Sequence, residues 1–103
     1  MRRRRFSVHS GLLADLAEVR DYYRQIDPAL ATRFLDSYAK SLRRIKENPL
    51  VPREYLAGWR RVVLVPFPYL VVFSVDDESI DVTALLHTHR DPETNRAVLE
   101  QRS

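Results

Sequence analysis

The spacing of apolar residues along the chain predicts a strand followed by two helices. Residues 5–9 alternate between apolar and polar side chains, which is typical of a short half-buried strand. Residues 12–26 and residues 28–47 each carry an apolar stripe with the helical period. Ser10 is the predicted N-cap of the first helix and Asp27 that of the second. Because almost no loop separates these helices, we expect them to fold back as an antiparallel hairpin.

The second half of the chain predicts a loop, three strands and a last short helix. Residues 49–59 contain prolines and a glycine and are expected to form a loop. Residues 60–66, 69–75 and 80–88 are rich in Val, Leu, Ile and Phe, and their short connections favour an antiparallel meander. Asp91 begins a helix that extends through about Glu100.

Together these elements predict one α+β domain over residues 1–103, ordered β-α-α-β-β-β with a short C-terminal helix. An antiparallel sheet is expected to pack on the N-terminal helical hairpin. The last-strand positions expected to face the helices are Ile80, Val82, Ala84 and Leu86. Leu85 and His87 are then expected on the outer face. Since the middle strand is apolar on both sides, that outer face is expected to be open and to need a partner or a cleft.

Composition narrows the class of protein. The chain has no cysteine, which excludes disulfides, thiolate nucleophiles and cysteine-based zinc sites. No stretch approaches the roughly 20 apolar residues of a membrane span, and no apolar signal-peptide core follows the basic start, so we expect a cytoplasmic protein. The net charge is +3, and its positive part is concentrated in residues 2–5 and 33–61. Basic patches of this kind suit an acidic protein or a polyanion.

Few residues are candidates for chemistry, and no segment is a self-sufficient catalytic motif. The candidate contact residues of the central basic patch are Arg43, Arg44, Trp59, Arg60 and Arg61. His87 could act as a general acid or base, with Arg90 close enough in sequence to contact a phosphate. His87 and His89 could share one face, but no third ligand is evident, so we expect no metal and no cofactor.

Several segments, taken in order, resemble the RelE/ParE toxin superfamily. They are residues 15–23 (DLAEVRDYY), 33–35 (RFL), 61–63 (RVV), 67–69 (FPY) and 86–92 (LHTHRDP). The resemblance covers nearly the whole chain and implies the same fold. It also implies the toxin of a type II toxin–antitoxin pair, often called a plasmid stabilisation protein, with an antitoxin encoded by an adjacent gene as its partner.

The superfamily contains two activities, and the resemblance leaves both open. ParE-like members inhibit DNA gyrase and have no catalytic role, whereas RelE-like members cut mRNA on the ribosome without a metal. Leu70 stands where RelE-like proteins tend to carry a basic residue, and His87-x-x-Arg90 resembles a ParE-type ending, so we favour gyrase. If the protein were RelE-like, the catalytic residues would be His87, Arg61, Arg90 and Tyr69. A nontoxic member that only binds antitoxin is a further alternative.

Overall fold

The computed structural model describes residues 3–103, so Arg2 of the N-terminal arginine run lies outside the described residues. The elements are β1 (Arg5–Val8), α1 (Ser10–Ile26), α2 (Pro28–Glu47), β2 (Glu54–Leu56), β3 (Trp59–Val63), β4 (Tyr69–Val75), β5 (Ser79–His87) and α3 (Pro92–Arg102). Their order is the predicted one with β2 added inside the predicted loop. Within the described chain, no helix is both long enough and apolar enough to cross a membrane.

The helical hairpin forms as predicted, with one difference at its start. Asp27 caps α2 because its Oδ1 accepts a hydrogen bond from the Ala29 N–H at 3.0 Å. The N-cap of α1 is His9, whose Nδ1 accepts from the Gly11 N–H at 2.9 Å. The prediction of Ser10 was therefore wrong by one residue. The His9 N–H donates to the Val82 carbonyl, and this bond keeps His9 extended at the end of the sheet.

The five strands form one mixed sheet in the order β1-β5-β4-β3-β2. The pairs β2–β3, β3–β4 and β4–β5 are all antiparallel, and the meander of β3, β4 and β5 was predicted. Strand β1 pairs parallel to β5, so the sheet is mixed and not antiparallel throughout as expected. The long connection through the hairpin and three strands permits this direction. Strand β2 has only three residues and is paired through Glu54 and Leu56 to β3, so no alternating pattern could have identified it.

A β-bulge interrupts the pairing of β4 with β5. Val72 pairs with Ala84 and Phe73 pairs with Val82, which leaves Thr83 without an opposite residue. One extra residue on a strand reverses the faces of every side chain beyond it. The strict alternation predicted for the last strand therefore fails after Val82.

Because of the bulge, the side chains of the last strand beyond Val82 lie on the faces opposite to those predicted. Ile80, Val82 and Leu85 belong to the core between the sheet and the hairpin. Ala84 and Leu86 lie on the opposite side, contrary to the prediction. Since His87 is two residues beyond Leu85 on the same strand, it lies on the hairpin side rather than on the outer face.

The outer face of the sheet is covered by α3, so the expectation of an open apolar face was wrong. The buried residues of this second core are Leu70, Val72, Ala84, Leu86 and Leu99. Leu99 of α3 is fully buried there, and the half-buried Tyr55 and Trp59 pack against the same cluster. The short α3 carries few apolar residues, and its pattern alone did not indicate how much of the sheet it covers.

An ion pair attaches the end of α3 to α1 at the point where β1 stops. Arg102 Nη1 donates to Asp15 Oδ2 at 2.8 Å and to the Thr83 carbonyl at 3.1 Å. Asp15 Oδ2 also accepts from the Leu85 N–H at 3.4 Å. The ion pair thus satisfies backbone groups of β5 that have no neighbouring strand. A Cβ atom on Gly11 would lie 2.7 Å from the Arg102 guanidinium, so glycine permits this close approach.

The turn between β4 and β5 gives a pH-dependent prediction. Hydrogen bonds from the backbone N–H groups of Glu78 and Ser79, both 2.8 Å, hold the pKa of Asp76 below its ordinary value of 3.8. A carboxyl whose folded pKa is lowered stabilises the fold above its unfolded pKa, and this stabilisation is lost as the pH falls. We expect the stability difference between the wild type and Asp76→Asn to shrink between pH 7 and pH 3 in urea unfolding. Asp77→Asn is the control, and a pH-independent difference for Asp76→Asn would contradict the prediction.

Candidate functional site

Tyr69 and His87 form the first group of candidate residues. They pair across β4 and β5, and their ring centroids lie 5.1 Å apart in an edge-to-face arrangement. His87 Nδ1 accepts from the His89 N–H at 3.1 Å, so Nε2 carries the proton of the neutral ring. The His87 and His89 rings lie 5.4 Å apart, although β5 ends at His87 and His89 lies in the turn that follows, not on the strand. Within residues 3–103, no group of three or more His, Cys, Asp and Glu could hold a metal.

Tyr69 belongs to an aromatic cluster beneath this group. Its ring lies 5.9 Å from the Phe34 ring and 6.4 Å from the Tyr23 ring, and Phe67 joins the same cluster. Burial, together with the neighbouring Tyr22 and Glu18, raises the pKa of Tyr69. The phenol therefore stays protonated near neutral pH, where it can donate a hydrogen bond.

Arg61 lies on the other side of the sheet from His87 and Tyr69. It pairs with Val72, which is buried in the core under α3. Trp59 and Val63, two residues before and after Arg61 on the same strand, pack in that core too. The backbone thus separates Arg61 from His87 and Tyr69. The exposed Arg90 follows β5, and its N–H donates to the His87 carbonyl at 3.1 Å.

The central basic patch is divided by the fold. Arg60 Nη1 donates to the carbonyls of Leu50 and Pro52, at 3.1 and 2.8 Å, so this guanidinium holds the loop before β2. Trp59 is half buried against the core under α3. Only Arg43 and Arg44 remain exposed among the five candidates of the patch, both near the end of α2.

Arg44 also lines a depression that the sequence did not indicate. We call it the α2–β3 groove, and it is formed by Arg33, Ser37, Lys40, Arg44, residues 62–65 and Phe67. Two adjoining cavities of ≈ 670 and ≈ 260 Å³ share Ser37, Lys40 and Val65. The four α2 residues of this groove are spaced four, three and four positions apart, which places them on one face of the helix. That spacing was visible in the sequence, but its relation to β3 was not.

The comparisons with known proteins agree on one family. Residues 7–92 match the family model described as the ParE toxin of the type II toxin–antitoxin system parDE. The chain is 30% identical over 101 residues to Toxin ParE2 of two Mycobacterium tuberculosis strains, CDC 1551 / Oshkosh and H37Rv, covering 97% of this chain and 96% of theirs.

A solved structure shares the fold. A chain of the chromosomal ParDE system from P. aeruginosa superposes with a TM-score of 0.72 and is 18% identical, over 84% of this chain and 97% of that one. This structural agreement supports the α+β architecture. The match to the family model and the 30% identity to Toxin ParE2 support the assignment to a family. The protein therefore belongs to the family of ParE toxins of type II toxin–antitoxin systems.

Proposed function

We propose that this ParE toxin arrests growth by binding DNA gyrase, that it does so without cutting RNA, and that a cognate antitoxin neutralises it by covering its contact surface. The observation that carries the choice of target is the separation of Arg61 from Tyr69 and His87 across the sheet. Arg61 shares its face with the core under α3, and His87 shares its face with the helical hairpin.

Ribonuclease activity would need these groups to converge on one phosphate. Cleavage at a ribose 2′-hydroxyl requires a base for that hydroxyl and cations that stabilise the charged phosphorane. The raised pKa of Tyr69 disfavours the phenol as that base. Leu70 is buried in the core under α3, so the position where RelE-like proteins tend to be basic supplies no exposed cation. His87 and Arg90 alone would form an incomplete site.

The remaining candidate residues are better suited to binding another protein than to cutting RNA. Arg43, Arg44 and Arg90 are exposed, and a stable protein interface gains specificity when such cations meet acidic groups of the partner. Antitoxin and gyrase could then compete for overlapping surfaces of one small protein. Neutralisation by occlusion follows directly from that competition and needs no conformational change of the toxin.

Expression in cells tests the proposed target. We expect growth arrest, an SOS response and gyrase-linked DNA breaks when the toxin is expressed alone, and normal growth when the adjacent small open reading frame is expressed with it. Primer extension should show intact transcripts, and His87→Ala should leave the transcripts unchanged. Cleavage sites that vanish in His87→Ala would instead favour the mRNA endonuclease. Normal growth without the antitoxin would indicate a nontoxic member.

A further inference from the structure

The exposed side chains at the C-terminal end of α2 are almost all cationic. From Lys40 to the end of the helix, every exposed residue is charged, and Glu47 is the one carboxylate among them. The last turn of a helix favours cations, which accounts for Arg44 and Lys46. Because Lys40 and Arg43 precede that turn, this preference does not account for them. The end of α2 therefore carries more positive charge than the helix itself needs.

The segment before β1 adds two more cations beside this helix end. A recess of ≈ 480 Å³ is lined by Arg3 and Arg4 from that segment and by Lys46 from α2. Lys46 Nζ lies 4.5 Å from the centre of the Phe6 ring, and this cation–π contact holds the ammonium over β1. Arg4 Nε donates to the Asp76 carbonyl at 2.7 Å, which holds its guanidinium in place. Cations from two distant segments of the chain therefore form one surface.

This surface can bind an external anion without displacing an existing partner. We call it the α2 basic end, and it is formed by Arg3, Arg4, Lys40, Arg43, Arg44 and Lys46. Within residues 3–103, none of these six cations forms an ion pair. Other carboxylates lie at its borders, since Asp36 is one turn before Lys40 and the acidic turn that begins at Asp76 lies beyond Arg4.

The makeup of the α2 basic end favours a nucleic-acid backbone over a protein partner. The centre of a stable protein interface is apolar and depleted of lysine. No apolar side chain is exposed from Lys40 to Glu47, and the exposed Leu50 and Val51 lie beyond the helix in the loop that Arg60 holds. Lys and Arg are the side chains that bind phosphates of duplex DNA, which carries one negative charge per ≈ 1.7 Å of its axis. Since gyrase acts on duplex DNA, such a backbone is present wherever the proposed target works.

We propose that the α2 basic end binds the phosphate backbone of the duplex DNA on which gyrase acts, without reading its sequence. This inference rests on the proposed inhibition of gyrase. Arg43 and Lys46 on the helix, with Arg3 and Arg4 beside it, would neutralise about four phosphates. The toxin would then bind the enzyme and its DNA at the same time, so its affinity for the gyrase–DNA complex would exceed its affinity for gyrase alone.

The salt dependence of duplex binding tests the backbone contact directly. The probe is a short fluorescent duplex, titrated with the purified toxin between about 50 and 200 mM salt. With four phosphate contacts, we expect the logarithm of the binding constant to fall against the logarithm of the salt concentration with a slope of about −3.6. A second duplex of unrelated sequence should bind within about twofold of the first, because backbone contacts carry no sequence information.

Two double variants with the same loss of charge locate the contact. Arg43→Gln/Lys46→Gln should bind the duplex about tenfold more weakly at about 50 mM salt, with a slope of about −1.8. Arg24→Gln/Arg96→Gln is the control, because it removes two cations from α1 and α3, and its affinity should stay within about twofold of the wild type. A wild type without the salt dependence, or a folded Arg43→Gln/Lys46→Gln with wild-type affinity, would overturn the inference.

Purified gyrase tests whether the same contact operates during inhibition. We expect the wild-type toxin to bind gyrase with its DNA about tenfold more tightly than gyrase without DNA, and Arg43→Gln/Lys46→Gln to lose this difference. The affinity of that variant for gyrase without DNA should stay within about twofold of the wild type. An equal loss of affinity for gyrase without DNA would assign the surface to the gyrase protein and overturn the inference.

The outcomes separate this inference from the proposed function. If the toxin inhibits gyrase but does not bind the duplex, and DNA adds nothing to its affinity for gyrase, the inference falls and the proposed function stands. If the toxin binds the duplex with the expected salt dependence but leaves gyrase unaffected, the proposed target is wrong, although the duplex contact stands. A single-stranded RNA that binds more tightly than the duplex would assign the surface to RNA and overturn the inference, because a single strand has the lower charge density.

Discussion

Replacing Phe34 by alanine is expected to lower the free energy of unfolding by about 3–5 kcal/mol, the usual cost of removing a fully buried phenylalanine. Phe34 is 0% exposed, and its ring lies 5.4 Å from the rings of both Tyr23 and Phe67. It belongs to α2, while Phe67 and Tyr69 come from the other side of the core. The alanine variant would therefore leave a cavity between the hairpin and the sheet.

The measurement is urea unfolding followed by circular dichroism, with Leu13→Ala as the control. Leu13 is 52% exposed on α1, and its replacement is expected to cost less than about 0.5 kcal/mol. A domain of this size has a total stability of about 5–15 kcal/mol, so Phe34→Ala should be marginally folded. Equal midpoints for the two variants would contradict the described core.

Replacing Arg102 by alanine is expected to have the second-largest effect, about 2 kcal/mol of lost stability. The side chains of Arg102 and Asp15 are only 20% and 24% exposed, and their 2.8 Å contact is the best shielded of the ion pairs between described residues. The variant would leave the Asp15 carboxylate without its cation and the Thr83 carbonyl without its donor. It would also release the end of α3 from the outer face of the sheet.

A double-mutant cycle with Asp15→Ala isolates the pair. We expect a coupling free energy of about 1–2 kcal/mol between the two positions, measured by urea unfolding. Arg96→Ala is the control, since Arg96 lies on the same helix and forms a looser contact of 3.4 Å with the exposed Glu93. It should cost no more than about 0.5 kcal/mol. Additive effects of Asp15→Ala and Arg102→Ala would show that the ion pair does not hold α3.

Local signals in the sequence predicted most of the elements correctly. Asp27 caps α2, and Asp91 caps α3 through a hydrogen bond from the Glu93 N–H at 3.4 Å. A cap needs only a side chain and the next few backbone groups, so it is readable from adjacent residues. The apolar periods likewise located both long helices, and β4 was predicted residue for residue.

Features that depend on distant residues were predicted poorly. The bulge at Thr83 is defined only by the pairing of β5 with β4, and it moved Leu85 and His87 to the hairpin side. The position of α3 on the outer face depends on the buried Leu99 and on the ion pair of Arg102 with Asp15 of α1. Neither contact leaves a periodic pattern in the sequence.

In the candidate site too, relations between well-predicted strands were predicted correctly, and relations that depend on distant residues were not. The adjacency of Tyr69 and His87 follows from pairing two well-predicted strands. Arg60 and Arg61 looked equivalent in sequence, but alternation along β3 sends them to opposite faces, and Arg60 holds a loop. The α2–β3 groove brings Arg33, Lys40 and Arg44 beside residues 62–65, a relation that only the packed structure defines.

The proposed target of this ParE toxin is DNA gyrase and not RNA. The most direct measurement adds the purified toxin to purified gyrase, relaxed plasmid and ATP, with and without the antitoxin, and follows supercoiling on a gel. We expect loss of supercoiling with cleaved plasmid accumulating, and recovery when antitoxin is present. Unimpaired supercoiling at every toxin concentration, together with cleavage of mRNA on purified ribosomes, would contradict it.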